Sequence, residues 1–291
     1  MSSDTSDRLG EVDAAFFSHD VDRGENVEGR AWSRVEDTVA SAWRQMGFSE
    51  ARIAHPYSRL GGYQAHGDPV LINRSAALNH FLSRIQRWSK EPSAACIRMY
   101  SRLLRQTNPM VAFTIGLPPA LASAAKSLDI PVVELLHGKG YSTIPWGWGE
   151  AVPEYLPDVV MAFDPLSAQT FGELGSKGVQ TIYVQDPWVS VFLNNPSSLP
   201  SEWQWPLELI DRWDRVVLVS LQWEGTATRT GDDQSANLLE HTPFRHTLKS
   251  VIDKTAADTL WLLRLHPVQL RQSRHSWVRQ TLDEIGSGRA N

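Results

Sequence analysis

Cysteine is almost missing from this sequence: Cys96 is the one thiol in 291 residues. No intrachain disulfide can form, which fits a reducing compartment better than a secreted, cross-linked scaffold. Long apolar runs are missing too, and none approaches the roughly 18 residues of a spanning helix. Residues 1–11 are polar and acidic, without the apolar stretch of a signal peptide. The expectation is a cytoplasmic chain, able at most to lie peripherally on the inner face of a membrane. Excess positive charge is the third absence. A net charge of −5 and a pI near 6.0 give no global basic field to meet phosphates, which excludes a general nucleic-acid binder. Internal repeats and low-complexity tracts are absent as well.

What is present is material for a core. With 42% hydrophobic residues and about 100–200 residues per domain, the length suggests two domains, or one plus a fragment. Residues 12–18 (VDAAFFS) read as a buried strand, followed by a polar loop, HDVDRGENVEG. Val35, Val39, Trp43 and Met46 make one helical face closed by Gly47. Two helical patterns occupy 71–106, the second striped by Ile97, Tyr100, Leu103 and Leu104 and stopped at Asn108-Pro109. The clearest rhythm follows: strand 110–115, helix 118–128, strand 131–136, a Gly/Trp-rich loop 138–157, strand 158–163, helix 165–174 and strand 179–184. Repeated βα order implies an α/β fold with a doubly wound parallel sheet, whose ligands sit beyond the carboxyl ends of the strands. Residues 188–206 read as a linker, and beyond it helix 207–213, strand 215–221, helix 244–255 and strand 259–265 begin a second domain.

Two histidines directly follow predicted strands. His137 comes after PVVELL and before Gly138; His266 comes after LWLLRL and before Pro267. An imidazole at the carboxyl end of such a strand faces a ligand more often than a histidine placed at random. Glu134 lies inside an otherwise apolar strand, where a carboxylate must be paired or functional. In the loop after the first strand, Asp20 and Asp22 point to opposite sides if extended, so at most one enters a cleft. His241 and His246 lack the H-E-x-x-H pattern of a zinc site. Twelve tryptophans are present, and Trp146, Trp148, Trp188, Trp203, Trp205 and Trp223 fall in loops or at strand ends. Flat rings stack on sugar faces and on nucleobases, though packing under long loops or anchoring at a membrane interface accounts better for any single one.

The string VVELLHGKGYS resembles the E-x-Q-H-G-x-x-S segment of bacterial capsule and surface-polysaccharide glycosyltransferases, which are related to teichoic-acid glycerophosphotransferases that use CDP-glycerol. FFSHDVDRGENVEG resembles their first strand and loop, YLPDVVMAFDP and VQTIYVQDPW two later strands, RVVLVSLQW the first strand of their second domain, and WLLRLHP their K/R-x-H-P. Leu136 stands where Gln is usual, and Gln185-Asp186-Pro187 replaces Gly-Asn-Pro.

The resemblance implies a GT-B-like arrangement of two Rossmann-like domains. Its divisions here would be a flexible N-terminus over 1–11, an acceptor domain over 12–187, a linker over 188–206 and an apparently incomplete donor-binding domain over 207–291. It implies that His137 lies at the cleft as base or as acceptor-site donor, while Asp20 or Asp22, in the loop after the first strand, can also serve as the acceptor base. Gly138, Glu134, Ser142 and Trp146 would line the acceptor cleft, and His266, Pro267, Arg264 and Gln222 would hold the donor. No metal or cofactor is implied; the donor would be a CMP-, CDP- or UDP-linked sugar and the acceptor an oligosaccharide or glycolipid. Polyol-phosphate transfer fits the same motifs. A reading from another class is a non-catalytic fragment that keeps the acceptor domain alone.

Overall fold

The computed structural model describes residues 9–18, 23, 25–27, 29–54, 65–72, 91–189, 211–220, 242–255, 258–264 and 283. The chain forms two compact units, Met1–Ser198 and Leu199–Asn291.

The first unit is built on a parallel sheet. Its strands are β1 (Ala14–Ser18), β4 (Glu50–Ala54), β5 (Val70–Leu71), β6 (Val111–Thr114), β7 (Val132–Leu135), β8 (Val159–Ala162) and β9 (Gln180–Tyr183). They lie in the order β5-β4-β1-β6-β7-β8-β9, and every neighbouring pair is parallel. Numbering only these seven in chain order, the sheet reads 3-2-1-4-5-6-7, the order of a Rossmann sheet extended by one strand, with its switch point between β1 and β6.

Adjacent residues of β1 show how both faces are covered. Phe16 stacks on Phe113 of β6 at 4.7 Å, and Phe113 meets Trp43 of helix α1 (Glu36–Gln45) edge-on. Phe17 turns to the other face and meets Tyr100 of helix α2 (Ala94–Thr107). A strand apolar on both sides belongs in such a three-layer interior, and all five residues of β1 are buried. Helix ends follow local chemistry. Ser93 caps α2 by accepting from the Cys96 N–H, and Asn108 ends it with φ 40°. Pro119 opens α3 (Pro119–Lys126), and Pro165 opens α4 (Pro165–Gly172) after an Asp164 cap.

Three pairing elements depart from the sequence expectation. The polar loop after β1 contains β2 (Glu25–Val27), paired antiparallel with β3 (Arg30–Trp32). Strand β4 carries Glu50 and Arg52, so it shows no apolar run. Arg52 is nevertheless 3% exposed, because Asp37 of α1 and Glu50 neutralise it. Strand β5, two residues long, is too short for any periodicity to register.

The second unit contains, among its described residues, a parallel pair of β10 (Arg215–Ser220) and β11 (Thr259–Arg264) and the helix α5 (Thr242–Lys254). Leu248 and Ile252 of α5 pack on Val219, Trp261 and Leu263. Of the helix expected over 207–213, the described residues 211–213 are not helical.

Candidate active site

A parallel sheet gathers every strand's carboxyl end on one edge. Here that edge collects Ser18, the turn after β6, His137 after β7, Asp164 after β8 and Asp186 after β9. His137 is exposed there, one residue beyond the buried Leu136.

The turn after β6 is already filled by an anion of the protein itself. Glu134, fully buried on β7, accepts from the Gly116 N–H at 2.7 Å and the Leu117 N–H at 3.0 Å. Gly116 takes φ 72°, which turns its N–H toward the carboxylate. These amides precede α3 at the switch point, where a phosphate would otherwise be expected. Glu134 is therefore a positioning residue, and this pair of donors is closed to a nucleotide phosphate.

The loop after β7 is tied down by α4. Asp164 Oδ2 accepts from the Gly140 N–H at 3.1 Å, and its Oδ1 accepts from the Ser167 N–H at 2.9 Å. The Tyr141 N–H donates to Ser167 Oγ, and Thr170 Oγ1 donates to the Tyr141 carbonyl at 2.7 Å. Burial pushes the Asp164 carboxyl up, but the Ser167 hydroxyl and the N–H groups of Ser167, Gly140 and Leu166 together outweigh it and hold the group below its ordinary range. Lys139 forms an ion pair with Asp186 at 2.6 Å, and Asp186 also accepts from the Trp188 N–H at 2.9 Å. Sequence reading left Asp164, Ser167 and Asp186 without a role; an Asp-Pro opening a helix is the signal that marks the first of them.

Gly138 has a reason the sequence did not supply. A Cβ there would stand 2.7 Å from Tyr141 Oη, and the Tyr141 ring is held edge-on by Phe171 and Trp146. The close approach is thus to Tyr141. Trp146 lies 6.1 Å from His137, ring centre to ring centre, and Ser142 is exposed in the same loop. Trp148 is buried and packs under Trp146, while Trp188 packs edge-on against Trp32. The loop thus brings His137, Gly138, Ser142 and Trp146 together.

Asp20, Asp22, Gln222, His266, Pro267, Trp203, Trp205 and Trp223 lie outside the described residues. Arg264 ends β11 in register with Ser220. Among the described residues no group of three or more His, Cys, Asp or Glu is arranged to hold a metal ion, and no helix is long and apolar enough to cross a membrane.

A buried ionic cluster, unforeseen in the sequence, lies behind the ends of β1 and β4. Arg23 donates to Ser18 Oγ at 3.1 Å and to Glu36 at 2.7 Å. Asp37 faces Arg23, Arg52 and His66 and accepts from the Ser33 N–H at 2.6 Å. Arg23 sits one residue past Asp22 in the sequence.

No family model and no curated protein matches the sequence. Solved structures do resemble it in fold. S. aureus MnaA in its co-structure with UDP is 10% identical at a TM-score of 0.52, over 96% of this chain and 66% of the other. A Listeria monocytogenes protein assigned as a UDP-N-acetylglucosamine 2-epimerase is 10% identical at 0.51, over 95% and 67%. The chain therefore spans about two thirds of their length. At this identity the likeness is one of architecture, and the chain has a GT-B-like α/β fold.

Proposed function

We propose that the chain acts in glycosyl transfer, moving a sugar from a nucleotide-activated donor to a bacterial surface polysaccharide or glycolipid. The observation that carries this reading is His137, exposed at the carboxyl end of β7 on a loop fixed by Asp164 and Ser167. A general base must reach its proton, and a fixed loop keeps it aimed at one place.

In this reading His137 takes the acceptor hydroxyl's proton as the oxygen attacks the anomeric carbon. The bond to the donor's phosphate breaks, and the nucleotide leaves with that electron pair. Glu134 occupies the switch-point amides of the first unit, and the resemblance in sequence would give the departing phosphate to Arg264, His266, Pro267 and Gln222. UDP is favoured over CMP and CDP by the architectural likeness to a UDP complex. Polyol-phosphate transfer would use the same groups. The site of action would be the cytoplasmic face of the membrane, reached peripherally.

A second reading, epimerisation of a nucleotide sugar, is favoured by the likeness in fold to the Listeria monocytogenes protein assigned as a 2-epimerase. The two separate in one experiment. The protein is incubated with UDP-N-acetylglucosamine, with and without an oligosaccharide acceptor. Release of UDP only with acceptor supports transfer; UDP-N-acetylmannosamine formed without acceptor supports epimerisation. No calorimetric binding of any CMP-, CDP- or UDP-linked sugar overturns both.

A further inference from the structure

Trp146 has a backbone conformation that its side chain disfavours. Its φ is 59° and that of Gly147 is 72°, and the Trp148 N–H closes the turn on the Pro145 carbonyl at 3.2 Å. Positive φ at both central positions of a turn is the pattern that Gly, Asn and Asp dominate. A bulky residue there is an outlier that persists only where its surroundings over-determine it. The surroundings do so here. Lys177 Nζ donates to the carbonyls of Gly149 and Ala151, the latter at 2.8 Å, and reaches that of Trp148 at 3.5 Å. Trp148 and Phe171, both buried, support the indole from beneath. Trp146 is left 47% exposed, with its ring beside that of His137.

We infer that Trp146 is a stacking platform for the C–H face of a neutral pyranose ring of the acceptor, an inference that rests on the transfer reading of this site. An exposed, rigidly presented indole gains from covering a flat apolar face. The charges favour a neutral ring over a nucleotide. Over 137–151 the one cation is Lys139, which is paired with Asp186, and the nearby Lys177 is held by backbone carbonyls. The exposed Ser142 and Thr143 are hydroxyls suited to a sugar's own.

The test is saturation-transfer NMR on the full chain with a mixture of methyl glycosides of glucose, galactose, mannose and N-acetylglucosamine, for wild type, Trp146→Ala and Trp146→Gly. Glycine accepts φ 59° without strain, so the glycine variant melts no lower than the alanine variant. At least one glycoside is expected to bind wild type, and at least about tenfold more weakly to both variants. Absence of any glycoside signal, or equal binding by a folded Trp146→Gly, overturns the platform. So does saturation of uracil protons by UDP that depends on Trp146. Trp146-dependent glycoside binding in a protein that takes no nucleotide sugar keeps the platform and sinks the transfer reading; nucleotide-sugar turnover unaffected by Trp146→Gly does the reverse.

Discussion

The Glu134 carboxylate and the Gly116 N–H meet at 2.7 Å across β7 and the turn after β6. A glutamine at position 134 keeps one acceptor oxygen but sets an NH2 group against the second N–H donor, that of Leu117. Losing one charge-assisted bond and orphaning a buried amide costs roughly 1.5–3 kcal/mol. Glu134→Gln should lower the urea midpoint accordingly with an unchanged m-value; an unshifted midpoint would mean the turn is held by other contacts.

Removing Asp37 has a larger effect. Its carboxylate stands among the buried guanidinium groups of Arg23 and Arg52, so Asp37→Ala takes from each one of its two carboxylate partners and leaves only Glu36 on Arg23 and Glu50 on Arg52. A loss of about 3–5 kcal/mol is the expectation. Chemical denaturation measures it, and a loss below about 1 kcal/mol would place the cluster in the weak class of surface pairs.

Acid should loosen the loop after β7 when Asp164 is protonated. Its carboxyl is depressed in the folded chain, so its contribution is whole above the unfolded value of about 3.9 and is lost as pH falls through the lower folded value. Amide chemical shifts of Gly140 and Ser167, followed by NMR, should titrate together below that value. In Asp164→Asn the titration should vanish.

His137→Ala should cut acceptor-dependent UDP release by about a hundredfold, the scale of a lost acid/base group. The exposed position predicts an unchanged melting temperature. Full turnover in the variant would remove His137 from the chemistry and pass the base role to the loop containing Asp20 and Asp22.

Legibility in the sequence followed the source of each stabilising contact. Strands β6, β7 and β8 stand out because their own residues supply the apolar run, and the helices after β6 and β8 carry their start signals locally in Pro119 and Asp164. Strand β4 does not stand out, since Arg52 is made tolerable by Asp37, 15 residues away. The site divides in the same manner. His137 could be found from its place after a strand. The binding of Glu134 to Gly116 and Leu117 spans 18 and 17 residues and shows no local pattern. Trp146 was visible as one aromatic among many; the positive φ that singles it out exists only in the folded loop.

The cluster of Arg23, Glu36, Asp37 and Arg52 also bears on how this sequence can change over time. Each member is buried, and each is balanced by another within the set. A lineage that loses one charge must pass through a destabilised intermediate before a second change restores neutrality. Distant kin should therefore keep the quartet intact or have exchanged it together for apolar residues, a correlated signature that remains readable where overall identity has faded.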